Sequence, residues 1–476
     1  MAVLTAFLPA GLTAAGTDRR LVDAAKRQDR EAVRTLLKQR VDVNAPQTDG
    51  ATALHWAAHW DDLETADLLI RAGANVQSAN EFGITPLALA CTNGNAAMIA
   101  LLLKAGANPN AARTTGETPL MTASRTGNLE AVKSLLAHGA EVNAKEPVEG
   151  QTALMWAISE RHADVVRVLV EAGADARARA VSGFTPLLFA ARAGDLDSTR
   201  LLLDAGADVN EASSDGTGAL LVATVRGHAK LAIFLLDRGA DPNANRTGYT
   251  ALHWAAGVWE TELNGANGIV TPDDDGEWSA LGGVKAGKLE LVKALLAHGA
   301  NPNVRLEKTP PRVGYTQLAV EQRVAGVNAF AGATPFLLAA TAGDIQTMQA
   351  LAAAGADPRL KTKDETTALM LAAGLGRYLA ESRVTEPQAL EAVKVIVELG
   401  ADVKAANEAG NTALHGAAQI KANTVIEFLV AHGADVNAAN KRGQTPVILG
   451  DTVRAGSATV ASRTSTGDLL RRLGGK

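Results

Sequence analysis

The chain of 476 residues holds one cysteine, Cys91, and only 4% of it is aromatic. A single thiol excludes an internal disulfide and any zinc site built on several cysteines. Few aromatics beside a hydrophobic share of 47% mean that small aliphatic side chains fill the interior, as thin stacked layers require. The formal net charge is −5, which argues against a nucleic-acid binder, because that function needs a basic stripe to displace counterions. The sequence also lacks any apolar run of about 18 residues, so no membrane-spanning helix is expected.

What is present is repetition. A tetrapeptide Thr-(Pro/Ala)-Leu-X returns about every 33 residues. It reads Thr52-Ala53-Leu54-His55, Thr85-Pro86-Leu87-Ala88, Thr118-Pro119-Leu120-Met121, Thr152-Ala153-Leu154-Met155 and Thr185-Pro186-Leu187-Leu188. Further copies begin at Thr250, Thr334, Thr367 and Thr412. A second motif ends each unit in phase with the first, as in Ala72-Gly73-Ala74-Asn75, His138-Gly139-Ala140-Glu141 and His432-Gly433-Ala434-Asp435. Between the two, residues 83–115 read as a pair of helices. Thr85-Pro86 starts the first, with proline where its missing N–H costs nothing. Asn93-Gly94 breaks the chain, and Ala97, Ile99, Leu102 and Leu103 make the apolar stripe of the second. Gly106 closes it in a position that favours left-handed geometry, and Asn108-Pro109-Asn110 leads into an extended finger.

These coupled motifs closely resemble the ankyrin repeat family over residues 19–476, insertions excepted. The resemblance implies an all-α ankyrin-repeat solenoid of about 12 stacked helix-turn-helix-finger units, each burying its apolar face only against its neighbours. Residues 18–476 then form a single array. Arg19-Arg20-Leu21 at its start and the degenerate unit opened by Thr445-Pro446-Val447 at its end read as polar caps. Residues 1–17, with Leu4, Phe7 and Leu8 in an apolar stretch and Thr13-Ala14-Ala15 as a small-residue cleavage site, read as a signal-peptide-like segment that lacks a basic start, or else as a disordered tail. With the Ala- and Arg-rich usage, this segment resembles exported bacterial ankyrin repeat proteins. The expected location is periplasmic or secreted, with a cytoplasmic protein as the alternative.

Insertions interrupt the pattern at about 257–288, 304–332 and 374–388. The first two are large. The first carries Trp259, Glu260, Glu262, an acidic run Asp273-Asp274-Asp275-Gly276-Glu277, and Trp278. The second carries Pro310-Pro311-Arg312, Tyr315 and Phe330. Both flank one second helix and are expected to border one segment of the groove as a clamp. Long loops in a compact fold are commonly functional.

The family fold implies that the residues after the Ala-Ala step of each first helix line that groove, together with the residue before each motif threonine and the finger tips. This yields Trp60, Phe82, Ile84, Arg125, Glu160, Phe184, Arg192, Arg226 and Tyr249 as partner-binding candidates, with Trp259 and Trp278 from the insertion. Exposed Trp, Tyr, Phe and Arg are the usual anchors of an interface.

Chemistry finds less support. His55 and His59 are four apart, but Trp56 stands where a zincin needs glutamate. His55, His253 and His415 occupy the motif histidine, which in the family is hydrogen-bonded between repeats. His138, His298 and His432 precede helix-ending glycines and suit the helix dipole there. Trp56, Trp156, Phe189 and Trp254 occupy a position read as core filling. The acidic run lacks the alternating ligands of a calcium loop, and Gly374-Leu375-Gly376 lacks the third glycine of a dinucleotide site. No catalytic residue, metal or cofactor is expected. The expected function is a monomeric, non-enzymatic scaffold holding an unidentified protein partner. The alternative is a small-molecule or sugar binder, or more remotely a hydrolase, using the Trp- and acid-rich insertion.

Overall fold

A computed structural model describes residues 18–257, 287–308, 330–376, 384–455, 458–461 and 464–476. Among them, 24 helices pair into the expected all-α repeats. The contacts divide the chain into two compact units, Met1–Ala207 and Asp208–Lys476. Within each unit an inner helix packs on the inner helices before and after it and on its own outer partner, so that Pro86–Asn93 touches Ala53–His59, Pro119–Thr126 and Ala96–Lys104.

The repeat at residues 83–115 shows the local chemistry that recurs. Thr85 is extended, and its hydroxyl accepts the Ala88 N–H at 3.1 Å, which caps the helix that Pro86 opens. Leu87, Ala88, Ala90 and Cys91 are buried along it. Asn95 caps the outer helix by accepting from Met98 N–H at 3.0 Å, and Met98, Ile99, Leu102 and Leu103 face inward. Gly106 then turns to φ 91°, and its N–H and that of Ala107 fold back onto the carbonyls of Leu103 and Leu102. Added volume there would meet nothing within 4 Å, so the backbone angle alone selects glycine. Some repeats depart: Thr185 makes no side-chain cap on Pro186–Ala193, Gly218 replaces the capping threonine of Ala219–Val225, and His162, His228, Gly287 and Ala422 leave their outer helices without one.

Neighbouring repeats are tied by side chains that reach backbone. Asn110 donates from Nδ2 to the Gly139 carbonyl at 3.0 Å and accepts the Glu141 N–H on Oδ1 at 2.7 Å. Asn44, Asn143, Asn210, Asn243, Asn303 and Asn437 repeat this two-way tie at equivalent places. The amide carries a donor and an acceptor on adjacent atoms, which suits it to a neighbouring carbonyl and N–H at once. Arg359 stands where an amide is expected and bonds Asp357 of its own finger instead, at 2.9 Å.

The motif histidines make the second tie. Nδ1 of His55 accepts the Thr52 N–H at 3.0 Å, which leaves Nε2–H to donate to the Ile84 carbonyl of the next repeat at 3.0 Å. His253 reaches the Val304 carbonyl at 3.1 Å and His415 that of Gln444 at 3.0 Å. The structure thus gives these three histidines the inter-repeat role that the resemblance implied.

The second insertion begins and ends as ordinary finger. Leu306 N–H donates to Ala333 O at 2.9 Å and Gly332 N–H to Leu306 O at 3.1 Å, while residues 309–329 lie outside the described residues. Residues 386–388 of the third belong to the outer helix Glu386–Glu398, which Thr385 and Gln388 cap reciprocally. The C-terminal unit holds an unanticipated hairpin, Thr452–Ala455 against Ala458–Ala461, between helices Pro446–Asp451 and Ser465–Arg472. Its β-branched Thr452, Val453, Thr459 and Val460 favour strand over helix.

Two predictions follow from the ties. Arg359→Asn supplies the missing amide and raises stability by about 1 kcal/mol, whereas Asn303→Ala lowers it by about 1–2 kcal/mol; urea denaturation reads both. Burial holds the His253 pKa down to about 4 from an ordinary 6.5, and burial lowers those of His55 and His415 too. The unfolded chain therefore binds protons that the fold refuses, and stability falls as pH drops from about 6.5 towards 4, by up to about 3 kcal/mol for His253. His253→Gln is less stable at pH 7.5 and loses less on acidification; thermal midpoints at pH 7.5 and 5 give both values.

Candidate partner-binding face

In residues 18–207 the fingers and inner helices present one common face, because their side chains meet across it. Trp56, on the inner helix Ala53–His59, donates from Nε1 to Gln47 of a finger at 3.1 Å. The Lys26 ammonium lies 5.0 Å from its ring centre, and Trp60 stacks on it at 6.4 Å. Trp60 is 44% exposed and donates to the Lys26 carbonyl at 3.2 Å, with His59 edge-on at 4.6 Å. Four residues thus converge at the start of this face: Lys26, Trp56, His59 and Trp60.

Further along, Arg113 of a finger donates to Thr92 of an inner helix at 2.7 Å and to Glu117 at 3.2 Å. Glu117 also accepts from Thr122 at 2.9 Å and pairs with Arg125 at 3.5 Å. Arg125 is half-exposed and lies 5.3 Å over the Trp156 ring of the next repeat. In the following repeat Arg192 covers Phe189 at 4.8 Å and Phe184 at 5.9 Å, and those two rings meet edge-on. Each station pairs a cation with an aromatic face, an attraction worth about 0.5–1 kcal/mol at exposed sites.

The remaining candidates spread out. Phe82 is 56% exposed at a finger tip. Glu160 is exposed and directly follows Ala153–Ser159. Ile84 is half-buried, and its carbonyl receives His55. Arg226 and Tyr249 belong to the other unit, where Tyr249 is half-buried beside Trp254 at 6.2 Å. Burial, then the Asp215 charge, pushes its phenol pKa up. Trp259 and Trp278 lie outside the described residues.

Groups with shifted acidity have local structural explanations. Cys91 is buried and its thiol is pushed up to about 12 by that burial, so it is not a nucleophile at neutral pH. Burial lowers the Lys288 pKa, and its ammonium is held by the Gly257 carbonyl at 3.1 Å and Asp344 at 3.3 Å. The depression lined by Arg305, Arg359 and Lys361 uses its cations within the fingers: Arg305 donates to Gly332 O at 3.1 Å, and Lys361 pairs with Glu365 at 2.8 Å. No helix among the described residues is long and apolar enough to cross a membrane.

Models of known sequence families match the chain at several places. The model described as "Ankyrin repeats (3 copies)" matches residues 20–80, 61–146, 98–180, 144–213 and 187–261, which together cover more than half of the chain. "Ankyrin repeats (many copies)" matches 388–449 and "Ankyrin repeat" matches 247–306. The chain belongs to the ankyrin repeat family. It is similar to the crystal structure of the human ASB11 ankyrin repeat domain, at 30% identity over 47% of this chain and 98% of that one, with a TM-score of 0.42. No curated protein matches it.

Two features of this ankyrin face differ from the sequence reading. Phe189 and Trp254 are buried as expected, but Trp56 and Trp156 are only half-buried and stand beneath cations. The position following the motif faces core or surface according to what the neighbouring repeat places over it. Val148 and Val181, 69% and 73% exposed on adjacent finger tips, also escaped notice. Their signal was available, since each precedes a finger-turn glycine by two residues.

Glu117 and Arg192 separate two roles on this face. Glu117→Gln leaves Arg113 and Arg125 short of a partner and costs about 1–2 kcal/mol in urea denaturation. Arg192→Ala changes stability by less than about 1 kcal/mol.

Proposed function

We propose that this ankyrin repeat protein is a non-enzymatic scaffold that holds a protein partner on its finger–inner-helix face. The observation that carries the reading is the run of exposed or half-exposed Trp60, Phe82, Arg125, Phe184 and Arg192 on one face of residues 18–207. Tryptophan and arginine are the usual interface hot spots, and a face whose side chains are already ordered loses little entropy on binding. Buried residues with shifted acidity that serve the stack rather than a pocket support the non-enzymatic part. Glu160 and Ile84 extend the proposed surface of residues 18–207, while Arg226 and Tyr249 are proposed partner-binding residues of the second unit by itself. Trp259 and Trp278, outside the described residues, are proposed as partner-binding residues on their sequence alone.

The test is affinity capture from the source extract with three baits: the intact chain, Trp60→Ala/Phe82→Ala, and a chain whose residues 258–286 are replaced by a short turn. A protein held by the intact chain and lost from the double variant is the expected result. Loss from the shortened chain as well assigns the clamp a role. Equal capture by all three baits moves the contact elsewhere and overturns the reading.

A further inference from the structure

Trp56 and Trp156 hold the same place in their repeats, the fourth residue of an inner helix, and each ring lies beneath a cation from the preceding repeat. Their indole N–H groups differ. That of Trp56 donates to the side-chain oxygen of Gln47, a carboxamide of its own finger, at 3.1 Å. That of Trp156 is buried and has no acceptor. The cause lies in the finger. Glu146 takes the place of Gln47: its N–H donates to the Gln151 carbonyl at 3.1 Å, as that of Gln47 donates to Ala51 at 2.8 Å, across a turn one residue longer. In the shorter turn Asp49 accepts the Ala51 N–H, which leaves the Gln47 oxygen to its tryptophan. In the longer turn buried Glu146 accepts the N–H groups of Val148, Glu149 and Gln151 at 2.8–2.9 Å, and both carboxylate oxygens are engaged there. An indole N–H can only donate, and a buried donor without an acceptor has lost its hydration and gained no bond in return.

We propose that a partner protein supplies the missing group: a glutamine or asparagine side chain whose oxygen accepts the Trp156 N–H, as Gln47 does for Trp56. The inference rests on the protein-binding reading, and it names a residue that sets specificity together with the chemistry it selects. The incoming side chain turns Arg125 aside from the ring. Arg125 is half-exposed, and its pair with Glu117 is long, at 3.5 Å, while Glu117 keeps Arg113 and Thr122 as partners. The surroundings favour a carboxamide over other acceptors. Glu160 follows Trp156 by four residues, which makes the two neighbours on the helix surface, and it is exposed, as is Glu149 of the finger. These acids repel a carboxylate but can accept from the amino group of a carboxamide. A main-chain carbonyl makes the first bond without offering the second, and an apolar side chain leaves the indole N–H unmet.

The experiment is selection of random 12-residue displayed peptides by the full chain and by Trp156→Phe, which keeps a ring and removes the N–H. Peptides held by the unaltered chain are expected to share a glutamine or asparagine at one position, and that preference to vanish with Trp156→Phe. A recovered peptide made synthetically binds Trp156→Phe at least about fivefold more weakly. Replacing its shared amide residue by alanine weakens binding to the unaltered chain by a similar factor, and the two changes together cost little more than either alone, the mark of one shared bond. The indole signal of Trp156 in nitrogen-15 spectra, identified by its loss in the variant, moves when the peptide binds. If Trp156→Phe does not fold, the altered peptide and the indole signal decide the matter on the unaltered chain. The inference is overturned by peptides without a shared glutamine or asparagine, by no recovered peptide, by losses that simply add, or by an indole signal that stays in place. If capture from extract still depends on Trp60 and Phe82, such a result removes only the carboxamide. If that capture fails too, the scaffold reading falls with it.

Discussion

A repeat in this chain has no core of its own, and its structure depends on an interface with the next repeat. Inner helices such as Pro86–Asn93 are two turns long, too short to persist alone in water. Burial of Leu87, Ile99 and Leu102 against neighbours supplies the main attraction. Apolar stacking alone leaves register loose, because small aliphatic side chains fit at more than one offset. Register is fixed by the polar ties: one asparagine amide bonded both ways to the next repeat, and at three places a neutral histidine bridging threonine and a carbonyl. Both reach backbone, whose position follows the fold rather than any one side chain.

That arrangement explains why some features were legible and others were not. The Thr-Pro-Leu caps and the glycine after each outer helix were readable, because each answers a need local to its own residues: an uncapped N–H or a left-handed turn. The asparagine ties were hidden, although Asn110 was in plain view as a finger residue. Their partner lies one repeat on, and nothing at position 110 announces which carbonyl it meets. The same distance hid the exposure of Trp156, since Arg125 comes to it from the preceding repeat. The hairpin at 452–461 was not legible because the last unit is degenerate and the repeat motifs that read the other units stop at Thr445-Pro446-Val447. On the candidate face, Trp60, Phe82, Arg125 and Arg192 stand at the residue positions that the resemblance implies, while Val148 and Val181 lie outside those positions.

The surface follows from the same economy. Stacking consumes the small aliphatics with Phe189, Trp254 and Phe336, and ties consume the amides, while Trp56, Trp60, Phe82 and Trp156 are left to the finger–inner-helix face. There Trp56 and Trp156 lie beneath cations, while Glu117, Glu146 and Asp49 stay bonded to the protein itself. On the proposed reading stability and recognition occupy different residues, and a repeat chain can change what it binds while keeping how it stacks.

The measurement that tests this division most directly is site-specific photo-crosslinking in the source extract. A photoreactive phenylalanine analogue is placed at Phe82 on the proposed face and, in a second protein, at Lys133 on the outer helix Leu129–Ala137. The account predicts one discrete crosslinked protein from position 82 and none from position 133. Crosslinking from position 133 alone, or the same product from both, would contradict it.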